Sequence, residues 1–376
     1  MGDRTLPDPV HSPRPGAYEP KPSAIATIAA MRLLYVVPNP QRIGGVARST
    51  LRILDSLRAA EHEVAVVASE AEDENPQMEL RGLLLGSTLQ GWTDRTLAGI
   101  ERFRPDLVVG YYGSKGAFAA VAAARLAGLP SVACLRGNDV NLDFFSALHH
   151  HLTAFAVTHA DAVAVVSTEM RHKVARWLGA EAAFISNSVD PESFRPDPEG
   201  AARLRREWGL GEGPVVGLFG ELKPSKGLAV LPGLRPALAG ATTLVIGEVR
   251  PESRREVPDW VRTVPYIADR ATLCAAYSLC DLVLQPSLHD GMPNTALEAM
   301  ACGRVVVGSR AGGLPDLIRD GENGFLAGPE EWPRVVARLL ADPPPAVGEA
   351  ARRSVPLPAQ ERHAFVDLFE RVLARR

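Results

Sequence analysis

The sequence is poor in lysine, in cysteine and in long apolar runs. Only five of its 41 basic residues are lysine, and two of these, Lys223 and Lys226, lie close together. Its four cysteines show no spacing typical of a metal site or a disulfide framework, which favours buried thiols in a reducing, cytoplasmic compartment. Arginine or proline interrupts each of the longest apolar stretches, so we expect no transmembrane segment.

An excess of charge of either sign is also missing. The net charge of −3 gives no reason to expect a nucleic-acid partner. Apolar residues make up 46% of the chain, which is ordinary globular composition, and 376 residues are enough for two domains. Residues 1–30 are rich in proline and nearly free of large apolar side chains, so we predict a disordered tail there.

Beyond residue 30, short apolar runs alternate with helical patterns. This rhythm predicts an α/β protein with parallel sheets that helices cover on both faces. A stretch rich in proline and charge, residues 191–213, divides two such series and is the predicted linker. The runs predicted as strands are Leu33–Val37, Val64–Ala68, Leu107–Val109, Ser131–Leu135, Ala162–Val166, Val215–Phe219, Thr243–Ile246, Leu282–Gln285 and Val305–Gly308.

The loops that follow strands are the places to search for chemistry, because ligands of open parallel sheets bind at the carboxyl ends of strands. The first such loop holds Gly44-Gly45, after which a helical pattern begins at Val46. Glycine allows close approach of a phosphate to a helix start, although a plain tight turn explains the pair equally well. On that helix, Arg48, Arg52 and Arg58 are predicted to form only a solvent-exposed face.

The second loop covers residues 220–227 and contains Lys226. Ser225 is predicted to cap a following helix, which would put Lys226 at the helix start. A cation is unfavourable there unless an anion is bound, so we predict a diphosphate site. The alternative is an exposed surface lysine, the more common environment of this residue type.

The third loop runs from Pro286 into a short helix and contains Asp290 and Glu298. Backbone N–H groups from Gly291 to Thr295 would lie at the helix start, which suits an anion or a hydroxyl group. The alternatives are structural. Thr295 and Glu298 have the spacing of a capping box, and Asp290 could form an Asx-turn.

Several segments together resemble a known family. Asp290 and Glu298 with the residues that follow resemble the E-x7-E signature of retaining glycosyltransferases of family 4, which have the GT-B fold. Residues 220–227 resemble its G-R-L-x-x-x-K-G loop. The similarity extends from about Met31 to the end of the chain, and the remaining matching segments are Gly44-Gly45, Gly137-Asn138-Asp139, Asn187-Ser188-Val189-Asp190 and Ala311 to Gly324.

The resemblance implies two Rossmann-like domains that face each other across a cleft. Residues 31–190 would form the acceptor domain and residues 214–360 the nucleotide-sugar donor domain, with a helix over 361–376 returning to the first domain. It also implies roles for individual residues, without a cofactor or a metal. Lys226 would bind the diphosphate, Glu298 would bind the ribose and Ile267 would contact the base. The donor sugar would be held by Asp290, Gly291, Met292 and Pro293. The donor would also be contacted by Gly45 and Thr295, and the acceptor side would contain Arg136 and Asp139.

The predicted function is therefore metal-independent transfer of a sugar, with retention, from a nucleotide diphosphate sugar to a small-molecule or glycan acceptor. A UDP-sugar is the favoured donor. Three residues depart from the family pattern, namely Asp290, Glu221 and Arg136 in place of glutamate, arginine and histidine. A nucleotide-sugar epimerase and a nucleotide-sugar-binding pseudoenzyme remain the alternatives.

Overall fold

The computed structural model describes residues 30–38, 45–68, 89–147 and 149–375. The predicted disordered tail lies outside these residues except for Ala30, and so does Gly44. The chain from Met31 to Arg376 forms one unit that contains two sheets.

The first sheet has six parallel strands in the order β2-β1-β3-β4-β5-β6. Its strands are β1 (Arg32–Val37), β2 (Glu63–Ala68), β3 (Leu107–Tyr111), β4 (Ser131–Leu135), β5 (Ala162–Val165) and β6 (Ala183–Phe184). Helices cover both faces, so the strands are apolar almost throughout. In β1, for example, Leu33 and Tyr35 belong to one core and Leu34 and Val36 to the opposite one.

The second sheet repeats this arrangement, with six parallel strands in the order β12-β11-β10-β7-β8-β9. Its strands are β7 (Val215–Phe219), β8 (Thr242–Ile246), β9 (Val261–Val264), β10 (Leu282–Gln285), β11 (Val305–Ser309) and β12 (Phe325–Ala327). The two Rossmann-like sheets confirm the predicted α/β class and the two-domain GT-B architecture. All nine predicted strands are present, and β6, β9 and β12 were not predicted.

Fourteen α-helices surround the sheets in the described part of the chain. They are α1 (Gly45–Arg58), α2 (Leu89–Phe103), α3 (Phe118–Leu126), α4 (Asn138–Asn141), α5 (His150–His159), α6 (Thr168–Leu178), α7 (Pro198–Glu207), α8 (Leu231–Leu234), α9 (Arg270–Leu279), α10 (Asn294–Ala301), α11 (Leu314–Leu317), α12 (Trp332–Ala341), α13 (Pro345–Ser354) and α14 (Pro358–Leu373).

Helices α7 and α14 lie where the chain passes from one sheet to the other. Helix α7 lies inside the predicted linker and contributes Ala201 and Leu204 to a core shared with α9, because its apolar residues recur at helical spacing. Helix α14 packs against α1, and its Phe365 and Phe369 are fully buried in a core of the first sheet. The last helix therefore lies on the first sheet, although it follows the second sheet in the chain.

Candidate active site

The second and third predicted loops meet at the carboxyl ends of β7 and β10. Lys226 follows β7 and Asp290 follows β10, and their side chains form an ion pair. Lys226 is the last residue of a single 3-10 turn, Pro224–Lys226, which ends at Gly227 with a φ of 118°. The prediction that Ser225 caps a helix and that Lys226 begins it is therefore wrong. This turn instead places Lys226 beside Asp290.

Asp290 joins three segments of the chain. Lys226 Nζ donates a hydrogen bond to Oδ2, and the amide of Gly291 donates one of 2.8 Å to Oδ1. Its backbone carbonyl accepts a hydrogen bond of 3.3 Å from Asn141 Nδ2, on the first domain. The Gly291 amide at the start of the predicted anion site is thus already bonded. The contacts of Asp290 with Lys226 and Gly291 orient both Lys226 and the start of α10.

Glu298 is buried, with only 6% of its surface exposed. Tyr277 donates a hydrogen bond of 2.8 Å to Oε2, and Arg48 donates one of 3.2 Å to Oε1. The capping-box alternative is wrong, because α10 has no side-chain cap and Thr295 Oγ1 bonds instead to Gln285 Oε1 at 2.9 Å. Burial raises the pKa of Glu298, and the Arg48 charge and the two hydrogen bonds oppose that rise.

Arg48 crosses from the first domain to the second. Besides Glu298 it contacts Tyr266, whose hydroxyl accepts a hydrogen bond from Nη2 and whose ring centre lies 5.6 Å from the guanidinium carbon. Arg52 on the same helix donates a 2.9 Å hydrogen bond to Glu361. The prediction that this arginine face only meets solvent is therefore wrong for both residues, since each is paired with a buried carboxylate.

Glu221 does not leave an unbalanced negative charge in the donor loop. Lys223 approaches Oε2 to 2.7 Å, and Arg250 pairs with Oε1. Burial opposes ionisation of this carboxyl, but the two cations outweigh it and hold the pKa of Glu221 below its ordinary value. Lys223 is thus engaged by Glu221, while Lys226 belongs to the Asp290 pair.

On the first domain, Asp139 organises the loop after β4. Its side chain is fully buried, and backbone amides of Gly113, Arg136, Gly137 and Val140 donate to it at 2.7–3.1 Å. Burial raises the pKa of Asp139, and these amide hydrogen bonds counteract the rise. With both oxygens so engaged, Asp139 shapes the loop and does not present its carboxylate to the cleft.

The neighbouring Arg136 is also buried, and its guanidinium takes part in a second interdomain network. It donates to Asn187 Oδ1 and lies 4.7 Å from the ring centre of Tyr111. Asn187 Nδ2 in turn donates to the Met292 carbonyl at 2.9 Å. Arg136 is therefore connected through Asn187 to the loop that precedes α10.

The two domains touch at backbone level around Gly137 and Gly291. Gly137 has a φ of 141°, and a Cβ there would lie 2.9 Å from the Gly291 amide nitrogen. A Cβ on Gly291 would lie 2.2 Å from the Arg136 carbonyl oxygen. Nearby, Asn294 Nδ2 donates to the Gly45 carbonyl at 3.0 Å, which joins the starts of α10 and α1. Glycine is required here because no side chain fits between the loops.

The remaining predicted donor residues surround this centre. Met292 and Pro293 are buried beside Gly291, and the first residues of α10 present backbone N–H groups that have no partner within the helix. Ile267 is half-buried in the irregular segment that follows β9. Within the described ranges, no cluster of three histidine, cysteine or acidic side chains could hold a metal ion, and no helix has the length and apolarity to span a membrane.

Sequence reasoning assigned Arg48 to a solvent-exposed face and did not single out Tyr277 or Asn294. Each acts across a large separation in the chain; Arg48 and Glu298, for example, are 250 residues apart. The one available signal was the position of Arg48, three residues after a glycine pair and in the first turn of a helix, where an unpaired cation is unfavourable.

Two family models match consecutive parts of the chain. A model described as Glycosyltransferase Family 4 matches residues 43–193, and one described as Glycosyl transferases group 1 matches residues 213–342. Among solved structures, the chain resembles sucrose-phosphate synthase from Thermosynechococcus elongatus with a TM-score of 0.77 and 18% identity, over 92% of this chain and 99% of that one. At this identity the similarity establishes the fold alone.

Two relatives come from Mycolicibacterium smegmatis. A GDP-mannose-dependent alpha-mannosyltransferase is 28% identical over 89% of this chain and 95% of its own length. A GDP-mannose-dependent alpha-(1-6)-phosphatidylinositol monomannoside mannosyltransferase is 30% identical over 56% of this chain and 59% of its own length. The first similarity covers most of both chains.

Proposed function

We propose that the chain is a GT-B glycosyltransferase of the family 4 type and that it transfers mannose from GDP-mannose. The two family models and the mannosyltransferase relatives support this proposal. The acceptor is a hydroxyl group of a small molecule or a glycan, and the configuration at the anomeric carbon is retained. This revises the UDP-sugar favoured from the sequence, because both relatives described above are GDP-mannose-dependent. An epimerase has no support among these matches.

The observation that carries the proposal is the pair of Lys226 and Asp290 at the carboxyl ends of β7 and β10, with Glu298 on α10, the helix that follows Asp290. A lysine ammonium has three N–H donors, and Asp290 uses one of them. The others, with the start of α10, can stabilise the negative charge that develops on the departing diphosphate. Asp290 holds the donor sugar in this proposal, and Glu298 accepts hydrogen bonds from the ribose hydroxyls.

Retention needs no protein nucleophile in this scheme. The transition state is oxocarbenium-like, as in glycoside hydrolysis. The bond from the anomeric carbon to the phosphate oxygen breaks, the acceptor oxygen attacks the same face, and the leaving phosphate takes the acceptor proton. The residues contribute by orienting the reactants and by stabilising the diphosphate, not by forming a covalent intermediate. Arg136 cannot be the base, since a guanidinium stays protonated.

Binding and turnover test the proposal in two steps. GDP, UDP and ADP are compared by thermal shift, because a ligand of the native state raises the melting temperature. We expect the largest rise with GDP, and a smaller rise for Lys226→Ala. GDP-mannose is then incubated with candidate acceptors, and release of GDP is measured. Binding of GDP without transfer to any acceptor would favour the pseudoenzyme, and preference for another nucleotide would refute the donor.

A further inference from the structure

We propose that Arg48 is a positioning residue for donor binding: from the first domain it holds the Glu298 carboxylate in place for the donor ribose. The inference rests on the proposed function, in which Glu298 binds the ribose. It adds that the donor subsite is completed by a side chain of the opposite domain. Donor affinity then depends on contact between the domains.

The geometry that supports this role begins at the first residue of α1. The Gly45 carbonyl is held by Asn294 Nδ2 at 3.0 Å, which fixes the start of α1 against the start of α10. One turn along the helix, Arg48 extends to Glu298 at 3.2 Å and to the Tyr266 hydroxyl. The guanidinium therefore bridges Glu298, expected at the ribose, and the segment next to Ile267, expected at the base.

The position of Arg48 in its helix argues for a function in the second domain. A cation in the first turn of a helix is unfavourable with the helix dipole, and α1 has no acidic residue in that turn to offset it. Arg48 is nevertheless a little more than one-third exposed and directed at a buried carboxylate. Its electrostatic partner is thus on the other domain rather than on its own helix.

Glu298 keeps the capacity to bind a diol while it is paired. Each carboxylate oxygen can accept two hydrogen bonds, and the partners described above, Arg48 and Tyr277, use one on each oxygen. The other ionisable groups that influence Glu298 are Arg52, Cys274 and Cys302. Tyr277 stays neutral, because burial raises the pKa of its hydroxyl well above the ordinary value. Arg48 is therefore the cation that touches Glu298 directly.

The test measures GDP affinity by calorimetry between pH 6 and 8 for wild type, Arg48→Met, Glu298→Gln and the double variant. We expect Arg48→Met to weaken binding roughly 5- to 100-fold near pH 7, the scale of coupling between contacting residues. Without the guanidinium the pKa of Glu298 rises. The loss of GDP affinity in Arg48→Met should therefore grow as the pH falls and shrink as the pH rises. The double variant should bind no more weakly than Glu298→Gln.

A matched control and a conservative variant complete the design. Arg58→Met removes an arginine of the same helix that contacts the Val64 carbonyl within the first domain, and it should bind GDP like wild type. Arg48→Lys keeps a charge near Glu298, so it should restore part of the affinity and the wild-type pH profile.

Two results would overturn the inference while leaving the proposed function intact. One is normal GDP affinity of Arg48→Met at every pH, with Glu298→Gln still impaired. The other is an effect of Arg48→Met that simply adds to that of Glu298→Gln. If wild type binds no GDP, the proposed donor fails and the inference fails with it.

Discussion

Replacing Gly291 by alanine should separate domain contact from folding. The new Cβ would lie 2.2 Å from the Arg136 carbonyl oxygen and 2.9 Å from Val166 Cγ2, both on the first domain. Ordinary contact begins near 3.4 Å, so the two loops must move apart by about 1.2 Å. Gly291 does not have a positive φ, so alanine introduces no backbone strain of its own.

The expected cost follows from this overlap. Overpacking of a close contact costs about 1–3 kcal/mol. A penalty of this size on the closed arrangement of the domains lowers its equilibrium constant roughly 5- to 150-fold. We therefore expect kcat/KM for GDP-mannose to fall within that range. Because the overlap lies between domains, opening relieves it, and the melting temperature should change little.

The assay compares initial rates of GDP release and thermal unfolding for wild type, Gly291→Ala and Gly233→Ala. Gly233 lies in α8 with no atom within 4 Å of a built Cβ, so its alanine variant should be as active as wild type and slightly more stable. Wild-type kcat/KM in Gly291→Ala would show that the contact between the loops plays no part in turnover.

Two further predictions concern the diphosphate. Lys226→Ala should lower kcat roughly 10- to 1000-fold, the scale of losing one electrostatic stabiliser of the transition state. Lys226→Arg should recover only part of this activity, because the planar guanidinium places its charge differently. Unchanged kinetics of Lys226→Ala would show that Lys226 is not part of the site. Transfer should persist in excess chelator, since charge compensation is assigned to Lys226 and the start of α10. Activity that disappears with chelator and returns with magnesium or manganese would contradict the metal-independent reaction.

The central strands could be predicted from the sequence, as could the edge strand β2, whereas the three short edge strands could not. A strand such as β10 is buried on both faces and reads as an uninterrupted apolar run. By contrast β6, β9 and β12 all lie at sheet edges and have two to four residues. In β9, Arg262 and Thr263 are exposed, so neither a period of two nor a continuous run is visible.

The site was predictable where its residues follow strands of one sheet. Asp290 and Lys226 were chosen because each follows a strand of the same sheet, and the structure brings them together. Glu298 was harder, because a capping box has the same spacing as the observed arrangement. The hydrogen bond from Thr295 to Gln285 excludes the capping box, and the observed contacts of Glu298 are with Arg48 and Tyr277, which are distant from it in the chain.

The domain boundaries stay a prediction, and residues 1–29 of the predicted tail lie outside the described residues. The linker shows why composition alone misleads. Proline and charge between residues 191 and 213 favoured an irregular connection, yet Pro198 begins α7 and Asp197 caps it by accepting from the Gly200 amide at 2.9 Å. Proline at the first turn is compatible with a helix, because its missing N–H would be unpaired there anyway.

The most direct test of the proposed reaction is the anomeric configuration of the product formed from GDP-α-mannose. Proton and carbon NMR of the purified mannoside, made with the acceptor found in the screen, distinguishes the two anomers. Transfer with retention predicts an α-mannoside as the only product, and Lys226→Ala should form roughly 10- to 1000-fold less of it at matched protein concentration and time. A β-mannoside would contradict the account.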